Sequence, residues 1–118
     1  QVDTLPAFRR TIALAGLEET VIAIVGRSAT VAAYWRTPLA MVFIDGSHTE
    51  ENAQADYEGW APHVIMGGLL AIHDVFPDPS QGGQAPYHVY LRALASGAFE
   101  DYLCQGSLRV LRRVGHGI

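Results

Sequence analysis

Asp45 and Asp74 each stand directly after a short apolar run, Met41-Val42-Phe43-Ile44 and Leu69-Leu70-Ala71-Ile72, and each brings a histidine with it, His48 three residues on and His73 immediately before. A carboxylate at the end of a buried strand is costly to leave without a partner. If the two runs are neighbouring parallel strands, Asp45 and Asp74 come close enough to share a divalent cation. Two hard oxygen ligands with open positions suit Mg²⁺ or Mn²⁺, and His73 is a third candidate ligand or an orienting group. His48, at the mouth of the turn Asp45-Gly46-Ser47-His48, has the residue type and place to take a proton from a hydroxyl held near such an ion. Each residue also has a plainer reading: Asp45 as a helix cap, Asp74 as the start of an Asx turn, His48 as a turn residue, His73 as a packed side chain.

Those residues need a scaffold that presents strand ends side by side. Leu5, Phe8, Ile12 and Ala15 recur at helical spacing after Thr4 and Pro6, which predicts a first helix ending at Gly16. Val21-Ile22-Ala23-Ile24-Val25 is a β-branched apolar run ended by Gly26, the pattern of a strand covered on both faces, and Ser28 is placed to cap a short helix to about Trp35. Met41–Ile44 reads as a second buried strand. Thr49, followed by Glu50 and Glu51, opens a helix to Trp60 with acidic residues at its positive end. Gly67-Gly68 predicts a turn into a third strand, Leu69–Ile72. Residues 75–86 read as a long loop, residues 87–95 as a helix, and Phe99–Leu103 with Leu108–Val114 as a closing antiparallel hairpin. Strand and helix alternate, so the expected architecture is an α/β open sheet, with ligands beyond the carboxyl ends of the strands. Gly26-Arg27-Ser28, Asp45-Gly46-Ser47-His48 and His73-Asp74 then share one rim. Trp35, Tyr57 and Trp60 are read as packing groups, and His63, His88 and His116 as surface or structural residues.

Composition narrows the functions. The chain has 118 residues, of which 49% are hydrophobic, enough for one domain with a real core. A formal charge of −4 and scattered arginines give no stripe to follow a phosphate backbone, so a nucleic-acid partner is not expected. No apolar run approaches the roughly 20 residues of a membrane span and no signal segment is evident, which makes a cytoplasmic protein the expectation. Cys104 is the single cysteine, which excludes an internal disulfide and a thiolate zinc cluster. The chain opens on Gln1 and runs almost at once into a helical pattern, which suggests sequence upstream of it.

The run Val42-Phe43-Ile44-Asp45-Gly46-Ser47-His48, then Asp56 and Trp60, then Gly67-Gly68-Leu69-Leu70-Ala71-Ile72-His73-Asp74 resembles class I S-adenosylmethionine-dependent methyltransferases. The likeness is to the small-molecule type that includes metal-dependent macrolide-sugar and aminocoumarin-sugar O-methyltransferases and a cephalosporin-biosynthesis relative. Order and spacing agree from about Thr4 to the C-terminus. The resemblance implies a Rossmann-like, mostly parallel sheet with a C-terminal antiparallel hairpin. It implies Asp45 and Asp74 as metal ligands, His48 as the general base, and Gly26-Arg27-Ser28, with Asp45, on the methyl-donor side. His73 stands where the metal-dependent sugar enzymes commonly have an acidic residue. The first strand and glycine-rich turn that hold the donor's methionine and ribose in this fold have no counterpart here. Residues 1–118 are therefore expected to be one partial domain, its N-terminal strands missing, that binds S-adenosylmethionine poorly by itself.

Three functions stay open on the sequence. The first is methyl transfer from S-adenosylmethionine to a hydroxyl of a small molecule. The second is a non-catalytic binding or assembly module that keeps the fold. The third, from the His73-Asp74 pair, is a metal-dependent hydrolase, although hydrolases with such a dyad carry it on a helix and here an apolar strand precedes it. Homo-oligomers are a further expectation, because an uncovered sheet edge and apolar face favour self-association.

Overall fold

The computed structural model describes residues 4–46 and 49–118. Their elements run α1 (Leu5–Leu14), α2 (Ser28–Tyr34), β1 (Leu39–Ile44), α3 (Glu50–Trp60), a 3₁₀ turn (Ala61–His63), β2 (Val64–Ile72), a second 3₁₀ turn (Pro79–Gln81), α4 (Ala85–Ala95), β3 (Phe99–Gln105) and β4 (Leu108–Arg113). The four strands form one mixed sheet in the order β1-β2-β4-β3, parallel between β1 and β2 and antiparallel across the other two pairs. The α/β sheet with its closing hairpin is the expected architecture.

The core forms where α3 and α4 cover one face of this sheet. Ala53 and Tyr57 of α3 and Val89 and Ala93 of α4 meet Val42, Leu70, Ile72 and Leu111, all buried. Removing these side chains from water is the main favourable contribution to folding, about 1.5–3 kcal/mol for each large one. Thr49 caps α3, its hydroxyl accepting from the Asn52 amide at 3.3 Å, and Glu50 and Glu51 lie in the first turn, as the sequence predicts. α2 lies beside α3 at a close approach, since a Cβ on Gly59 would stand 2.8 Å from the Ala32 methyl.

Three expectations are corrected. Val21–Val25 is not a strand: no other strand of the described residues lies beside it to take its backbone groups, and Ile22 is 78% exposed. Met41–Ile44 is a strand, extended back to Leu39, but only one of its faces is covered. Val42 enters the core, while Met41 and Phe43, pointing the other way by the two-residue period of a strand, are about half exposed. Gly67-Gly68 does not precede the third strand but lies inside it, as a bulge. Leu39 pairs with Val64 and Met41 with Leu69, so residues 65–68 are accommodated opposite a single residue. Gly67 has φ +78°, and a Cβ on Gly68 would stand within 3.0 Å of two backbone carbonyl oxygens, so the bulge requires both glycines.

Candidate functional site

After the bulge, β1 and β2 stay in step, with Val42 opposite Leu70 and Ile44 opposite Ile72. The His73 amide extends the ladder by donating to the Ile44 carbonyl at 3.2 Å. This register carries Asp45 and His73 past the ends of their strands side by side. His73 Nδ1 lies 3.0 Å from Asp45 Oδ1 and 3.2 Å from Asp74 Oδ1. Asp74 turns back toward the histidine because its backbone is left-handed, with φ +60°, a conformation that aspartate tolerates better than most residues.

Asp45, His73 and Asp74 form the one group of three or more potential metal-ligating side chains found among the described residues, each with a ligand atom within 4.8 Å of the others. Nδ1 lies within hydrogen-bonding distance of both carboxylates, so a proton on it would be shared between them. A divalent ion would take the place of that proton and be met by two oxygens and a nitrogen, with positions left for water or a substrate oxygen. The donor set therefore fits a small divalent cation. All three side chains are partly open to solvent, between 27% and 44% exposed, so such an ion would be reachable from outside. His48 lies outside the described residues.

Asp45 also belongs to a cleft of about 450 Å³ along the open side of β1, lined by Ser28, Met41, Phe43, Gly46, Asp56 and Trp60 among others. Ser28 is not a cap, as the sequence reading had it; the N-cap position is Arg27, and the Ser28 hydroxyl accepts instead from Trp60 Nε1 at 2.8 Å. This bond ties the start of α2 to the end of α3, and the Trp35 ring packs against Trp60 at 5.6 Å. Arg27 and Ser28 border a second depression, with Gly46, Asn52 and Asp56. The turn carrying Arg27 and Ser28 and the turn after β1 thus face one groove, as expected from the strand-end rule, even though the run before Gly26 is not a strand. The cleft has the size and the mixture of apolar wall and few polar groups of a small-molecule site. Trp60 is the residue that sequence reasoning undervalued. It is a packing group, but it also lines the cleft and fixes Ser28 there.

On the loop of residues 75–86, Gln84 Nε2 donates to the Phe76 carbonyl and Asp78 caps the 3₁₀ turn, its Oδ1 accepting from the Ser80 amide at 3.0 Å. The loop leads into α4, whose Pro86 and Val89 border a narrow crevice under Asp45 and His73. His88, read as a surface or structural residue from sequence, pairs through Nδ1 with Glu50 and joins α4 to the first turn of α3, and this bond holds the Glu50 carboxyl below its ordinary range.

A protein-family model for a methyltransferase domain matches residues 1–75, which include Gly26-Arg27-Ser28, β1, Asp45, β2, His73 and Asp74. Among solved structures, the chain is similar to a protein from Staphylococcus aureus assigned as a caffeoyl-CoA O-methyltransferase. The TM-score is 0.75 and the identity 14%, over 98% of this chain and 62% of that one. It is also similar to an rRNA methylase from Streptococcus thermophilus, with TM-score 0.64 and identity 18%, over 98% of this chain and 72% of that one. At these identities the likeness is one of fold, and the chain spans 62% of the length of the first structure.

Proposed function

The chain belongs to the methyltransferase domain family, and on that premise we propose that it forms the acceptor side of an enzyme transferring a methyl group from S-adenosylmethionine to a hydroxyl of a small molecule. The observation that carries this reading is the meeting of Asp45, His73 and Asp74 within 4.8 Å, with Asp45 also lining a cleft together with Ser28 and Trp60. When bound, the donor supplies an electrophilic methyl on a cationic sulfur, and a divalent ion at the trio lowers the pKa of an acceptor hydroxyl.

The remaining work falls to the chain. Asp45 and Asp74, whose carboxylates flank His73 Nδ1, would hold such an ion together with that histidine. Ser28, held by Trp60, and Arg27 border the donor side, while Met41 and Phe43 give an apolar wall that limits water around the reacting groups. His48 is assigned, on its place three residues after Asp45, to receive the acceptor proton. Holding the two reactants in line supplies a large part of the acceleration, because it replaces a bimolecular encounter.

A small acceptor is favoured over nucleic acid by the formal charge of −4. The decisive experiment follows methyl transfer from S-adenosylmethionine by the protein in its full-length form. Hydroxylated small molecules and a structured RNA are offered as acceptors, with and without EDTA. Activity on the small acceptors that EDTA removes and Mg²⁺ or Mn²⁺ restores is expected, and H48A should lower kcat by about 10²-fold or more, as loss of a general base does. Transfer to RNA alone, or activity indifferent to both EDTA and H48A, would overturn the reading.

A further inference from the structure

At the opposite ends of β1 and β2, roughly 20 Å away along strands that rise about 3.3 Å per residue, lies a second concavity, of about 410 Å³. Its polar lining is cationic or neutral: Arg36, His63, Arg113 and His116, set among Pro38, Pro62 and the start of β2, with no acidic side chain among the described residues. Arg113 is the unusual member. Among the described residues it is the one buried charged side chain, 6% exposed, and its guanidinium donates to the carbonyls of Ala61 at 2.7 Å and Gly117 at 2.9 Å while lying over the Phe99 ring.

Other arginines show the contrast. Arg92 and Arg112 each meet a glutamate at 2.8 Å, and both are solvent-accessible. Neither Arg113 nor Arg36 has a carboxylate within ion-pair distance among the described residues, and Arg36 NH1 rests on the Ala33 and Trp35 carbonyls. A buried charge is costly unless a counter-charge compensates it, and carbonyl dipoles do so only in part. His63 Nε2 is committed to the Ala32 carbonyl at 2.9 Å, which fixes that ring at the wall. The exposed Arg36 guanidinium and His116 imidazole, with the buried charge of Arg113 at the wall behind them, match an oxyanion with several acceptor oxygens, for which Arg gives paired hydrogen bonds as well as charge.

We propose that the basin formed by Arg36, His63, Arg113 and His116 binds the phosphate or diphosphate group of a ligand, at a site separate from the Asp45–His73–Asp74 rim. The separation in space means that one small acceptor cannot span both, so the anion belongs to a second ligand or to a distant part of an extended one.

The test is calorimetric titration of the chain with inorganic pyrophosphate, orthophosphate and acetate at constant ionic strength, without divalent metal. Saturable binding is expected, at least tenfold tighter for pyrophosphate than for acetate. R36Q, an exposed substitution, should weaken pyrophosphate at least tenfold, and D45N should leave it within twofold of the unchanged chain. Because R113Q removes a buried group and risks the fold, R113K and H116A serve beside it. Each should weaken pyrophosphate with the circular-dichroism spectrum intact. Equal affinity for acetate and pyrophosphate, no effect of R36Q, or loss of binding in D45N would overturn the proposal.

Discussion

Replacing Gly68 by alanine should destabilise the protein more than replacing its neighbour Gly67, although Gly67 is the residue with the left-handed backbone. The added Cβ at position 68 would meet the Ile65 carbonyl oxygen at 2.9 Å, Val64 Cγ1 at 2.9 Å and the Ala40 carbonyl oxygen at 3.0 Å. Two of these are backbone atoms of the bulge and of the strand beside it, so relief requires β1 and β2 to move apart. Overpacking of this kind costs about 1–3 kcal/mol, offset by the ~0.5–1 kcal/mol that alanine gains over glycine in a strand. With steric overlap on three atoms the upper part of the first range applies, leaving a net loss of about 2 kcal/mol, or roughly 8 °C in Tm for a domain of this size. At Gly67 a Cβ meets nothing within 4 Å, and the cost is that of φ +78° alone, about 1 kcal/mol. Thermal unfolding followed by circular dichroism gives the ranking. Hydrogen exchange adds a local reading, because the His73 amide closes the same ladder onto the Ile44 carbonyl and should exchange faster in G68A than in G67A. A G68A protein that melts within 2 °C of the unchanged one, or a G67A protein that melts below the G68A protein, would refute the argument that the bulge sets the strand register.

Two further outcomes are expected. An imidazole among the donors favours Mn²⁺ over Mg²⁺ relative to an all-oxygen set, so H73D should lower the Mn²⁺/Mg²⁺ affinity ratio by about tenfold in calorimetric titrations. An unchanged ratio would mean that His73 is not a ligand. Tyr90 donates to Asp101 Oδ1 at 2.6 Å, and its pKa is pushed up to about 12 by burial first and by that carboxylate second. Because the folded value lies above the unfolded one, the stability it contributes is whole below about pH 10 and is lost as pH rises through about 12. Y90F should cost about 1–2 kcal/mol at pH 7 in urea unfolding, and the deficit should shrink between pH 10 and 12. A deficit independent of pH across that window would remove Tyr90 from the account.

Much of the fold was legible because its signals are local. Thr49 with Glu50 and Glu51 announces a helix start, and the apolar runs at 41–44 and 69–72 announce strands whose ends bear carboxylates. What stayed hidden depended on neighbours. Val21–Val25 has the composition of a buried strand, but a strand exists only through the chain beside it, and the described sheet ends at β1. The same holds for Met41 and Phe43, whose burial depends on a covering layer that composition does not specify. Gly67-Gly68 signalled a break in regular structure correctly, and only pairing could tell a bulge from a turn. The Asp45–His73 contact was inferable from two parallel strands ending alike, whereas the Trp60–Ser28 bond links residues 32 positions apart through helix packing that leaves no local trace. Arg113 was invisible for a related reason. In Leu108-Arg109-Val110-Leu111-Arg112-Arg113 nothing marks which arginine is buried, and the answer follows from which face of β4, lying between β2 and β3, turns to the core: Arg113 shares the face of Leu111 and Arg112 does not.

That central position of β4 also explains how a chain of net charge −4 can present a cationic basin at one end of the sheet and a carboxylate pair at the other. The parallel pair sends both of its carboxyl ends, with Asp45 and Asp74, to one rim. β4 runs against β2, so its final residue, Arg113, arrives at the rim where β1 and β2 begin, beside Arg36 and His63. Opposite charge at the two ends is thus a product of strand direction rather than of composition, and it gives each rim a different ligand preference: cations and the groups they activate at one, oxyanions at the other. Removing one charge at one rim, as D45N and R36Q do separately, should therefore alter binding at that rim alone, since roughly 20 Å exceeds the Debye length of ~8 Å at physiological salt.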